Sequence, residues 1–170
     1  MILRNMTLWL TGRPCSGKTS ISKQLKIELS ARGIHVVNLD GDVVRVGLNR
    51  DLGFSSKDRE ENLRRAAYVC QLFNDNGIFV IATFITPTNE LRDMVREIIS
   101  NIKLCYVDCS LETAEKRDVK GMYKKARLGL IKDFTGISAP FEEPAKADIV
   151  VNSERTPLMD CVKQVMDALD

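Results

Sequence analysis

Short apolar runs alternate along this chain with stretches in which apolar residues recur every three or four positions, the pattern of strands alternating with amphipathic helices. Met6-Thr7-Leu8-Trp9-Leu10 is the first run, and Ile21, Leu25, Ile27 and Leu29 then supply the buried side of a helix ending near Gly33. Residues 34–39 predict a second strand. A long helix is predicted over 56–76, capped by Ser55 or Ser56, with Leu63, Ala66, Ala67, Cys70, Leu72 and Phe73 on its apolar side and Gly77 as its stop. Residues 78–85 are almost continuously apolar, as a parallel strand buried on both faces requires. A helix over 89–100, a buried strand over 102–109, a short helix over 111–117, a strand over 148–152 and an amphipathic helix over 156–169 complete the series. Five strands separated by helices predict an α/β fold of three layers, a five-stranded parallel sheet with helices on both faces.

The turn after the first strand reads Gly12-Arg13-Pro14-Cys15-Ser16-Gly17-Lys18-Thr19, the spacing of a phosphate-binding P-loop. Glycines there let successive N–H groups converge on phosphate oxygens, and the following helix adds the positive end of its dipole. Lys18 is expected to reach the β- and γ-phosphates of a nucleotide, and Thr19 to offer its hydroxyl to Mg²⁺. A plain strand-to-helix turn would leave Lys18 and Thr19 unexplained.

Composition narrows the classes. The chain has 170 residues, enough for one domain over 1–170, and 25 Lys and Arg against 23 Asp and Glu leave a net charge of +2, too small to argue for nucleic acid as a partner. Cys15, Cys70, Cys105, Cys109 and Cys161 are odd in number and form no Cys-x-x-Cys pair, so neither a disulfide framework nor a zinc site is expected, and a reducing cytoplasm fits. Cys15 reads either as a reactive thiol beside N–H dipoles or as a small loop residue. His35 is the one histidine and reads as a solvated strand-end residue. No signal peptide or membrane-spanning run is expected.

Asp40-Gly41-Asp42 follows the second strand, at the carboxyl edge where open α/β sheets bind ligands. Such a pair can hold a Mg²⁺-bound water and accept a proton from an attacking hydroxyl; a helix N-cap beside a surface acid would explain the same residues. Arg45, Arg50 and Arg59 cluster next, with Phe54 among them, suggesting a second anionic, nucleotide-like ligand, although surface arginines beside a core phenylalanine fit as well. Residues 117–127 are strongly basic and read as a lid closing over phosphates or as a solvated helix face. A regulatory P-loop switch would carry an Asn-Lys-x-Asp segment, which is absent. A non-catalytic nucleotide-binding module would lack the carboxylate pair.

At Leu39-Asp40-Gly41-Asp42 through Asn62, again over 117–127, and at Phe134-Thr135-Gly136, the sequence resembles the adenylylsulfate kinases, with the similarity running from about Thr7 to Asn152. The resemblance implies a P-loop nucleoside-kinase-like fold with a basic lid over about 117–136. It also implies transfer of the γ-phosphoryl group of ATP to the 3′-hydroxyl of adenosine 5′-phosphosulfate, with Mg²⁺. Lys18, Asp40 and Asp42 match its catalytic residues, and Thr19 and Asp40 its metal side. Gly12, Cys15, Ser16, Gly17, Lys18, Thr19 and Ser20, with Arg117 and Asn152, match the ATP side. Asp42, Arg45, Phe54, Arg59, Asn62, Ile85, Pro87, Lys120 and Phe134 match the acceptor side, the two phenylalanines sandwiching its base. Dimerisation is common among such proteins, so a homodimer is the implied assembly.

The departures cluster on the acceptor side. Val43 and Val46 stand where the family often has Asn and His, Thr86 replaces a usual Ser, Ser138-Ala139 replaces a usually acidic pair, and the loop reads Gly-Arg-Pro-Cys-Ser-Gly-Lys rather than Gly-Leu-Ser-Gly-Ala/Ser-Gly-Lys. They leave a second acceptor open, that of a related cytidine diphosphoramidate kinase serving capsule synthesis.

Overall fold

A computed structural model describes residues 5–170. Its strands are β1 (Thr7–Thr11), β2 (Val36–Asp40), β3 (Phe79–Thr83), β4 (Ile102–Asp108) and β5 (Ile149–Asn152), all parallel, in the order β2-β3-β1-β4-β5. The helices are α1 (Lys18–Ala31), α2 (Gly41–Val46), α3 (Ser56–Asp75), α4 (Asn89–Ile98), α5 (Leu111–Lys116), α6 (Met122–Arg127) and α7 (Leu158–Leu169).

Alternation along the central strands fills both sides of the sheet. Leu8, Leu10, Phe79, Ile81, Cys105 and Val107 face α1 and α7, meeting Ile21, Leu25, Val162 and Val165. Trp9, Val80 and Ala82 face α2, α3 and α4, meeting Val44, Leu63, Ala66, Cys70 and Val95. This double burial is why these strands read as apolar runs rather than as an alternation of apolar and polar residues.

Two expectations fail for the same reason. Ile27 and Leu72, assigned above to buried helix faces, are exposed. Each lies two positions beyond a core residue, Leu25 and Cys70, which at 100° per residue turns it to the far side of its helix. The N-cap reading of Asp40 points to helix α2, but its valines have low helix propensity and give no apolar periodicity to extend it. The predicted strand over 78–85 stops at Thr83, where its pairing with Asp40 and Leu10 ends and the chain bends across the carboxyl edge. His35 is exposed, and the five cysteines carry free thiols.

Order β2-β3-β1-β4-β5 carries successive crossovers to opposite sides of β1, so a crevice opens beyond the carboxyl ends of the strands. The turns after all five strands meet there. Among the described residues no helix is long and apolar enough to cross a membrane.

Candidate active site

A cleft of about 1120 Å³ occupies that crevice. Cys15, Gly17, Lys18, Thr19 and Ser20 form one wall, and Asp40, Asp42, Arg45, Phe54, Arg59 and Asn62 another. Ile85, Thr86 and Pro87 lie between them, and Arg117, Lys120 and Phe134 close the far side. Gly12, Ser16 and Asn152 are not part of the lining. A Cβ on Gly12 would come within 2.6 Å of the Val107 carbonyl oxygen, so this glycine lets the loop pass against β4. Ser16 is buried, its carbonyl accepting a hydrogen bond from Ser153 Oγ at 2.6 Å. Asn152 faces the chain rather than the cleft: Nδ2 donates to Asp108 at 3.0 Å, and Oδ1 accepts from the N–H groups of Glu154 and Arg155. Its neighbour Ser153 lines the cleft instead and holds Arg117, which donates to the Ser153 carbonyl at 2.7 Å. Arg50 is exposed and off the cleft.

Lys18 Nζ is drawn into the loop, donating to the carbonyls of Arg13 at 2.7 Å and Gly12 at 2.9 Å. Burial lowers its pKa from 10.5 to about 8, the acidic groups around it opposing the shift. Opposite, Asp40 is engaged through both oxygens. Oδ1 accepts from the Asp42 N–H at 2.9 Å and caps α2, while Oδ2 accepts from Thr83 Oγ1 at 2.8 Å and Thr19 Oγ1 at 3.2 Å. Asp40 is therefore the N-cap of α2 and also lines the cleft, and Thr83, which bonds it, is a residue that no sequence pattern marked. The Asp42 side chain takes no part in that cap and forms an ion pair with Lys120.

Arg45 and Arg59 are both held by contacts within the chain. The Arg45 guanidinium lies 4.4 Å from the Phe54 ring centroid and donates to the Gly53 carbonyl at 2.9 Å. Arg59 donates to the Phe54 carbonyl at 2.9 Å, to Thr135 Oγ1 at 2.7 Å and to the Asp133 carbonyl, tying α3 to the segment that bears Phe134. Burial lowers the pKa of both guanidiniums from a very high starting value, so both remain cationic. Asn62 is buried and accepts from Asn49 Nδ2 at 3.0 Å. Phe134 packs edge-on against the buried Tyr123 ring at 4.9 Å, and Tyr123 donates its hydroxyl to the Pro14 carbonyl at 2.9 Å. Of the basic residues over 117–136, Arg117, Lys120 and Lys132 line the cleft, whereas Arg127 pairs with Glu115 on the outer surface. The segment thus divides between residues that face the cleft and residues on the outer surface.

Thr86 sits in the cleft wall at φ 45°, a left-handed conformation costly for a β-branched residue. It is held by the Trp9 indole, whose Nε1 donates to Thr86 Oγ1 at 2.9 Å while its ring stacks on Phe84. Val43 and Val46 are 71% and 82% exposed on α2, and neither they nor Ser138 and Ala139 line the cleft.

The oxygens of Thr19 and Asp40 are a hard donor set that suits Mg²⁺, which takes one or two protein oxygens and completes its shell with water and phosphate. A cluster of three or more acidic, cysteine or histidine side chains is absent among the described residues and is not needed for this ion.

The family model described as adenylylsulphate kinase matches residues 4–152. The adenylyl-sulfate kinase of Clostridium kluyveri is 48% identical over 95% of this chain and 82% of its own. That of Emericella nidulans is 45% identical over 98% and 86%. The structure of the Mycobacterium tuberculosis APS kinase CysC in complex with AMPPNP and APS superposes with a TM-score of 0.95 at 38% identity, covering 98% of each chain. Shikimate kinase from Aquifex aeolicus, at 17% identity and a TM-score of 0.53, shares the fold alone.

Proposed function

The chain belongs to the adenylylsulphate kinase family, and from that membership and the cleft we infer that it moves the γ-phosphoryl group of ATP to the 3′-hydroxyl of adenosine 5′-phosphosulfate. One observation carries the mechanistic reading: the hydrogen bond from Thr19 Oγ1 to Asp40 Oδ2 joins the phosphate loop to the carboxylate pair, so donor and acceptor sides meet at one point.

On this reading, Cys15 to Ser20 receive the ATP phosphates, and Lys18 leaves the Arg13 and Gly12 carbonyls to neutralise charge on the β- and γ-phosphates. Gly12 and Ser16 shape the loop from behind. Arg117, with Ser153 in place of Asn152, borders the ATP base. Arg45 and Arg59 bind the acceptor's anionic groups, and Phe54 and Phe134 stack on its base. The acceptor's 3′-oxygen attacks the γ-phosphorus as its proton passes to Asp42, and ADP leaves from the opposite side. Thr19 and Asp40 would hold Mg²⁺, which when bound spreads the negative charge of the phosphates. Residues 117–136 act as a lid that excludes water, closing through Lys120.

The cytidine alternative loses most of its support here, because Val43, Val46, Ser138 and Ala139 lie off the cleft wall, leaving Thr86 as the one acceptor-side departure that lines it. A homodimer is the assembly we propose, with light scattering as its check, and five free thiols fit a reducing cytoplasm. Mass-spectrometric comparison of kcat/KM with ATP, Mg²⁺ and either adenosine 5′-phosphosulfate or cytidine diphosphoramidate tests the assignment. A strong preference for the sulfate is expected; preference for the cytidine compound overturns the acceptor, and no transfer to either overturns the reaction.

A further inference from the structure

Arg13 is the second residue of the phosphate loop, yet it is not part of the cleft lining. Its guanidinium lies 4.7 Å from the centroid of the Phe141 ring. Nε and Nη1 of Arg13 are buried without a hydrogen-bond partner among the described residues. Hydrogen bonds therefore do not hold those atoms, and the face of the aromatic ring does.

Phe141 is itself anchored. The Arg92 guanidinium lies 5.3 Å from the same ring, and the Tyr106 ring stacks on it at 6.2 Å. In the next residue, the Glu142 N–H donates to the Pro87 carbonyl at 2.8 Å and the Glu142 carbonyl accepts from Arg92 Nη2 at 2.6 Å. Glu142 Oε2 also accepts from the Asn89 N–H at 2.8 Å, at the start of α4. The ring is thus fixed to the turn between β3 and α4, which supplies Pro87 to the cleft.

The other end of Arg13 is its backbone carbonyl, which accepts from the Ser16 N–H at 3.2 Å and from Lys18 Nζ at 2.7 Å. This one oxygen closes the loop and also parks the lysine. The guanidinium and the carbonyl are two ends of one residue, so fixing the first limits where the second can go.

We propose that Arg13 is a positioning residue for ATP: its clamp on Phe141 holds the loop, through the Arg13 carbonyl, in its closed shape before nucleotide binds. Binding then does not have to order the loop. The inference rests on the reading that this loop receives ATP. It assigns a role to a position where the family's usual leucine could pack on the ring but could not carry a cation to it.

Calorimetric titration with AMPPNP, together with steady-state kinetics, tests it on the wild-type chain, Arg13→Leu, Phe141→Leu, the double variant and Arg13→Lys. Each single variant to leucine is expected to bind AMPPNP about tenfold more weakly, about 1.4 kcal/mol. The double variant should bind no more weakly than either, and Arg13→Lys, which keeps a cation over the ring, should recover most of the loss. KM for ATP should rise accordingly, while KM for adenosine 5′-phosphosulfate stays at the wild-type value. Additive losses in the double variant, or wild-type affinity in Phe141→Leu, would overturn the clamp, the latter leaving only the charge of Arg13. Should Arg13→Leu fail to fold, Phe141→Leu against Arg13→Lys still decides. Wild-type protein that does not bind AMPPNP would strike the ATP reading itself, whereas binding that all variants share would strike this inference alone.

Discussion

Lys120 and Asp42, both lining the cleft, form an ion pair that joins the basic segment before α6 to a carboxylate in the first turn of α2. The Asp42 carboxylate raises the pKa of the lysine, so the cation is kept throughout the neutral range. Both side chains are largely exposed, so the pair adds only about 0–1 kcal/mol to stability. Its value is in placement. Lys120→Met should therefore leave the thermal midpoint almost unchanged while lowering kcat/KM for the acceptor about tenfold or more. A fall in midpoint with unchanged kinetics would make the pair merely structural.

Lys18 is the group whose titration should be visible in activity. With its pKa at about 8, roughly nine-tenths of the ammonium is present at pH 7 and it is lost as pH rises, so kcat/KM for ATP should decline above about pH 8. The stability effect has the opposite sense. Between about 8 and 10.5 the unfolded chain holds this proton and the folded chain does not, so stability from this group rises with pH across that window. Lys18→Met should remove that rise in urea titrations. Lys18→Ala should lower turnover by about 10²- to 10³-fold or more, and near-normal turnover would sink the phosphate-loop assignment.

Asp40 and Asp42 should separate by what they cost. Asp40→Ala removes the α2 cap and the acceptor for two threonine hydroxyls, and should destabilise the chain by about 1–2 kcal/mol as well as lowering activity. Asp42→Ala should abolish transfer with little change in midpoint or in ATP affinity. Comparable activity in Asp42→Ala would remove it as the base.

Val43→Asn with Val46→His restores the residues usual in the family. Because both side chains point away from the cleft, kcat/KM for adenosine 5′-phosphosulfate should change by no more than about twofold. A large change, measured against the cytidine compound in parallel, would show that α2 reaches the acceptor in the closed state.

The sheet and the loop were readable because they depend on local rules: strands buried on both faces are apolar throughout, and a phosphate loop needs its glycines, lysine and threonine at fixed spacing. Asp40 was readable twice over, as cap and as ligand, and the structure uses it as a cap with hydroxyls on its other oxygen. What escaped depends on contacts between distant segments. Thr83 looks like any strand threonine until β3 pairs beside β2 and brings it to Asp40. That Ser153 rather than Asn152 lines the cleft is not legible in the sequence, because a strand's last residue gives no sign of whether it or its successor turns towards the cleft. Arg13 and Phe141 are ordinary in isolation and meet only when the chain after α6 returns to the sheet edge.

Trp9 is the only tryptophan of the chain, and its indole N–H is bonded to a residue of the cleft wall. The protein therefore carries a native optical probe beside the cleft. Any ligand that shifts Thr86 alters the hydrogen bond of the sole indole emitter, and its fluorescence can be followed in stopped flow without a label. Arrival of each nucleotide could then be timed separately from the chemistry, giving the order of binding and the step that limits turnover.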